Sequence, residues 1–77
     1  LAPLRRKIKE IESLTERLEI QIQKLDAELA DPTIYDRSPG LAADKARERN
    51  QAQRSLSSAE EEWLELSAEY DEAMAAE

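Results

Sequence analysis

Apolar residues in the first half of the chain fall at Leu4, Ile8, Ile11, Leu18, Ile22, Leu25 and Leu29, in alternating steps of four and three with Thr15 alone interrupting. That spacing draws one narrow apolar stripe along a helix, the seam of a coiled coil. The second half keeps the rhythm through Lys45, Arg49, Ala52, Leu56, Ala59, Trp63, Leu66, Tyr70 and Ala73, with its polar end towards the middle of the chain. The pattern predicts two long helices, each presenting one seam.

Between them lies "ADPTIYDRSPGL", Ala30 to Leu41, the one place where proline, glycine and aromatic residues gather. Asp31 before Pro32 and Ser38 before Pro39 are helix-start signals, a capping side chain followed by a proline whose missing N–H costs nothing in a first turn. Proline also turns the preceding residue away from helical geometry. The expected organisation is helix one over about 3–30, a turn over about 31–39 and helix two over about 40–75. Ile34, Tyr35 and Leu41 are expected to close the end at the bend. Helices of roughly 26 and 35 residues would be about 40 and 50 Å long, a rod rather than a globule. The simplest all-α fold for this pattern is an antiparallel two-helix coiled-coil hairpin, read as monomeric.

In such a pair the facing residue numbers add to a constant, and a total near 74 sets Leu4 by Tyr70, Ile8 by Leu66, Ile11 by Trp63, Leu18 by Leu56 and Ile22 by Ala52. A slip of one heptad would put Leu18 and Ile22 against Arg49 and Lys45, losing apolar burial worth about 25 cal/mol per Å². The chosen register leaves Leu25 by Arg49 and Leu29 by Lys45, where aliphatic stems cover the leucines and the charged heads reach water.

Charge sharpens this picture. The 77 residues carry a net charge of −7, with 38% charged, no cysteine and no histidine. Net acidity argues against a uniformly basic nucleic-acid binder, because phosphate contacts need cations that displace counterions. The charge is segregated, however. Arg5, Arg6, Lys7 and Lys9 open the chain, Arg37, Lys45, Arg47, Arg49 and Arg54 follow the bend, and the final third is acidic from Glu60 to Glu77. A hairpin lays the basic start beside Glu65, Glu69, Asp71 and Glu72, whereas a parallel dimer would stack like charges. No apolar run approaches the roughly 20 residues that span a bilayer. With no initiator methionine and a start in mid-pattern, the chain reads as a piece of a longer, cytoplasmic protein with no membrane segment.

Without histidine or cysteine, transition-metal sites and the usual acid/base and nucleophilic constellations lack their residues. No catalytic residue and no metal or other cofactor is expected here. Trp63 and Tyr70 occupy seam positions and read as core. The basic residues after the bend have two readings: a solvated face balanced by Asp26, Glu28, Asp44 and Glu48, or a phosphate-facing patch that positions nucleic acid without reading its sequence. The candidate nucleic-acid-binding residues are Arg37, Lys45, Arg47, Arg49 and Arg54, with Arg5, Arg6, Lys7 and Lys9.

Together, the basic start "LRRKIKEIE", the leucine/isoleucine seam, "LADPTIYD" at the turn and "AEEEWLELSAEYDEAM" on the return resemble the C-terminal coiled-coil extension of ABC-F ATPases of the Uup and YheS type. These are twin-cassette ABC proteins without membrane domains. Leu29, Asp31, Pro32, Tyr35, Trp63, Leu64 and Glu65 fit the places of that pattern. The resemblance implies an accessory domain behind two ATP-binding cassettes, in a protein that is an ATPase through upstream domains holding ATP and Mg. It also implies partners among DNA, ribosomal RNA or the ribosome, and a role in translation. The acidity departs from a DNA-binding extension and leaves RNA, ribosomal or intramolecular contacts open. Two alternatives remain. "RSPGLAADKARERN" is similar to the tRNA-contacting C-terminal arm of valyl-tRNA synthetase, and Leu14, Ile20 and Leu64, off the main seam, suit a structural coiled coil that docks another protein.

Overall fold

The computed structural model of the chain describes residues 1–76. Three helices follow one another: α1, Ala2–Leu29; α2, Thr33–Arg37; and α3, Pro39–Ala76, with no strand among the described residues. The fold is all-α and extended. It measures 61 × 15 × 14 Å, and its length is that of α3 itself, whose 38 residues at 1.5 Å each reach about 57 Å.

The seams account for the packing. Ile11, Ile22 and Leu25 of α1 are buried, as are Ala42, Ala52, Leu56 and Ala59 of α3. Ile22, Ala52 and Leu56 form one cluster, with Leu18 packed on it. α1 supplies large side chains and α3 supplies mostly alanines, so one helix fills the space the other leaves. Burial of each leucine or isoleucine stabilises by about 1.5 to 3 kcal/mol. Polar contacts across the two helices join Arg5 to Tyr70, Glu12 to Trp63, Asp26 to Arg49 and Glu28 to Lys45. As the α1 number rises, the α3 number falls.

At the bend α1 stops without a left-handed residue. Ala30 keeps right-handed dihedrals (φ −74°, ψ −16°) and its N–H bonds the Asp26 carbonyl at 2.9 Å, while the Asp31 N–H bonds the Glu28 carbonyl at 3.3 Å. This tightening satisfies carbonyls of the last turn, and Pro32, which has no N–H to offer, prevents continuation. The segment expected as turn then makes a helical turn of its own. Asp31 starts it: its Oδ1 accepts from the Thr33 N–H at 3.0 Å and from the Thr33 hydroxyl at 2.8 Å. Pro32 is already right-handed helical (φ −64°, ψ −22°), so the aspartate stands one residue outside the helix, in the capping place. Ser38 breaks to φ −150°, ψ 72°, and its carbonyl accepts from the Ala42 N–H at 3.0 Å as α3 begins.

Two expectations change here. Of the three residues expected to close the bend, Ile34 is half-buried, while Tyr35 and Leu41 are about half exposed. Ala42 seals the end instead, at 3% exposure. It continues the α3 seam one step before Lys45, which places it on the buried face of the helix. Trp63 and Tyr70 hold their seam positions but are half-buried rather than core, because the Trp63 indole N–H reaches the rim to bond Glu12 at 3.2 Å and the Tyr70 hydroxyl reaches out to accept from Arg5 at 3.4 Å.

Candidate nucleic-acid interface

The basic residues after the bend divide by what they touch. Lys45 and Arg49 sit on the α3 seam, where large apolar side chains would have matched Leu29 and Leu25, and each bends outward to a carboxylate of α1. The Lys45 ammonium pairs with Glu28, and Arg49 Nε bonds Asp26 Oδ1 at 2.9 Å. Arg47 pairs with Asp44 three residues back on the outer surface. Three of the four carboxylates named as balancing groups are thus engaged. Arg37 and Arg54 are exposed and make no ion pair among the described residues.

Local electrostatics follow the same division. The hydrogen bond from Lys45 holds the Glu28 carboxyl below the usual glutamate range against the opposing effect of burial, and the same bond raises Lys45. Asp31 is lowered by its bonds from the Thr33 hydroxyl and N–H. Thr33 is the working residue that pattern reading passed over. Its signal is the spacing Asp-Pro-Thr, which puts a donor two residues after a capping carboxylate.

Placement decides which cations can meet a phosphate together. Arg37 lies on the rim of a groove at the bend, with Thr33, Ile34, Leu41 and the paired Glu28 and Lys45. Arg47 and Arg54 are seven residues apart, hence on one outward stripe of α3 with about 10.5 Å between them along the axis. Arg54 borders a second groove with Leu14, Ser55 and Glu62. The bend end therefore offers Arg37, Arg47 and Arg54 to solvent and holds Lys45 and Arg49 inward.

The second basic group lies at the far end. Arg5 turns to Tyr70: its guanidinium stands 5.9 Å from the ring centroid, within cation–π reach, and Nη2 donates to the hydroxyl at 3.4 Å. Arg6, Lys7 and Lys9 are exposed. No ion pair forms between this group and Glu65, Glu69, Asp71 or Glu72 among the described residues, because long, hydrated side chains gain little from closing such contacts. Arg37, at the bend, is thus separated from this group by most of the length of α1, whose 28 residues reach about 42 Å. Among the described residues no cluster of metal-ligating side chains is present, and no helix is long and apolar enough to cross a membrane.

A search of curated proteins and a search of solved structures each found no match. A scan against sequence families matched residues 3–68, which contain the first seam, the bend and the second seam as far as Leu66, to the family described as ABC transporter C-terminal domain. The pattern of two seams joined through "LADPTIYD" is therefore that of a known accessory unit of ABC proteins, and the chain belongs to the ABC transporter C-terminal domain family.

Proposed function

We propose that the chain is the C-terminal coiled-coil domain of an ABC-F ATP-binding protein, an antiparallel helical hairpin that binds or positions nucleic acid while upstream cassettes bind and hydrolyse ATP. The family match supports the accessory role. The opposed numbering of the four cross-helix contacts supports the hairpin. One observation carries the nucleic-acid reading: behind the bend of an acidic chain, Arg37 and Arg54 stand exposed without an ion pair among the described residues, and Arg47, though paired with Asp44, lies on the outer surface, while Lys45 and Arg49 are tied to carboxylates of α1. Cations so displayed contact phosphates and contribute position rather than sequence choice. ATP with Mg, a cytoplasmic setting and DNA, ribosomal RNA or the ribosome as partner belong to the same proposal.

Fluorescence anisotropy of short duplex DNA, single-stranded DNA and structured RNA, titrated with the chain between about 50 and 200 mM salt, tests it. Salt-sensitive binding that is lost in the Arg37→Glu/Arg54→Glu variant supports the reading, and the preferred probe selects DNA or RNA. These two positions are chosen because neither forms an ion pair or side-chain hydrogen bond among the described residues, so their reversal leaves those helix contacts in place. Absence of binding at the lowest salt overturns it.

A further inference from the structure

Where Glu12 meets Trp63, a groove runs along the boundary of α1 and α3, lined by Glu12, Thr15 and Glu19 from one helix and Glu60, Trp63 and Leu64 from the other. It opens at the level where the seam carries its smallest pair, Thr15 and Ala59. The Thr15 hydroxyl is turned back onto the Glu12 carbonyl at 2.8 Å and so is already satisfied within α1. Trp63 is half-buried with its N–H held by Glu12. Leu64, next to it, is 62% exposed, the most exposed of the large apolar side chains. The groove thus has an apolar floor and a rim of three carboxylates. None of them has an ion pair among the described residues, and no lysine or arginine lines this groove.

We propose that this groove docks a basic polypeptide segment, with an apolar side chain laid on Trp63 and Leu64 and lysine or arginine heads over Glu12, Glu19 and Glu60. Charge complementarity selects the occupant. Nucleic acid and acidic segments are repelled by the unneutralised rim. A second copy packed face to face would bring the same three carboxylates against it. A cation above a half-exposed indole gains from the ring quadrupole, and its alkyl stem gains from the apolar floor. The groove is distinct from the cations after the bend: Arg54, the nearest of them along α3, lies nine residues from Trp63, about 13.5 Å along the axis, and lines a different groove. One chain can therefore hold an anionic partner near its bend and a basic one on its flank.

Trp63 is the sole tryptophan, so its emission reports the groove directly. The probe is a 21-residue peptide of leucine and lysine in heptad order, titrated into the 77-residue chain at about 0.1 M salt, where unspecific attraction between exposed charges is screened beyond about 10 Å. We expect a saturable change in Trp63 emission at one peptide per chain. Leu64→Ser should weaken binding about tenfold by removing floor area. Because Leu64 is already exposed, this variant keeps its helix content by circular dichroism. Glu19→Gln/Glu60→Gln should weaken binding well beyond Glu61→Gln/Glu69→Gln, which removes equal charge away from the groove. Equal weakening by the two double variants, binding without an emission change, or equal affinity for a peptide with serine in place of leucine would each overturn the proposal.

Discussion

The Lys45 ammonium is bound to the Glu28 carboxylate across α1 and α3, directly behind the bend. This contact lowers the glutamate and raises the lysine, and the sign of each shift sets a pH window. The Glu28 contribution is present above the ordinary glutamate pKa and is lost as pH falls through the lowered value. The Lys45 contribution is present below the ordinary lysine pKa and is lost as pH rises through the raised one. Thermal unfolding of the chain and of Glu28→Gln should therefore differ across neutral pH and converge as the pH falls through the lowered Glu28 value. A constant difference down to pH 2 would show that the pair does not couple to folding.

Leu56 and Leu64 are the same residue on opposite terms. Leu56 is buried against Ile22 and Ala52, whereas Leu64 faces water. Leu56→Ala should cost about 2 to 5 kcal/mol and Leu64→Ala less than about 0.5 kcal/mol. Urea unfolding followed by helix signal measures both. Similar costs would contradict the seam assignment.

Gly40 has no conformational duty. Its φ is not positive, and a Cβ built on it meets nothing within 4 Å. Gly40→Ala should stabilise the start of α3 by about 0.5 to 1 kcal/mol, since alanine loses less backbone freedom in a helix. A lower melting temperature would mean that the bend needs the glycine after all.

The seams could be read from the sequence because a coiled coil repeats one physical demand at each turn. Each position from Leu4 to Leu29 and from Lys45 to Ala73 that the rhythm selects is buried or half-buried. Lys45 and Arg49 are expected to send their charged heads from the seam to water; instead the heads end on Glu28 and Asp26 of α1. What stayed hidden is local. α2 depends on Thr33 donating twice to Asp31, a contact of two side chains that carries no periodicity. Ala42 is buried one seam step before Lys45, where the rhythm as read has not yet begun. In the candidate interface, Arg47, Arg49 and Arg54 are alike as letters. Their separation into inward and outward groups follows from heptad position and from which carboxylate the other helix brings near. Arg5 was expected beside carboxylates and stands over Tyr70, a choice made by side-chain reach rather than by charge pattern.

The salt dependence of nucleic-acid binding tests the central claim most directly. With duplex DNA as probe, log affinity against log salt should fall with a slope of about 0.9 per phosphate contacted. Replacing Arg37 and Arg54 by glutamine should therefore make that slope shallower by up to about 1.8 while leaving helix content unchanged. An unchanged slope, or no binding by the parent chain at about 50 mM salt, would contradict a phosphate-facing surface behind the bend.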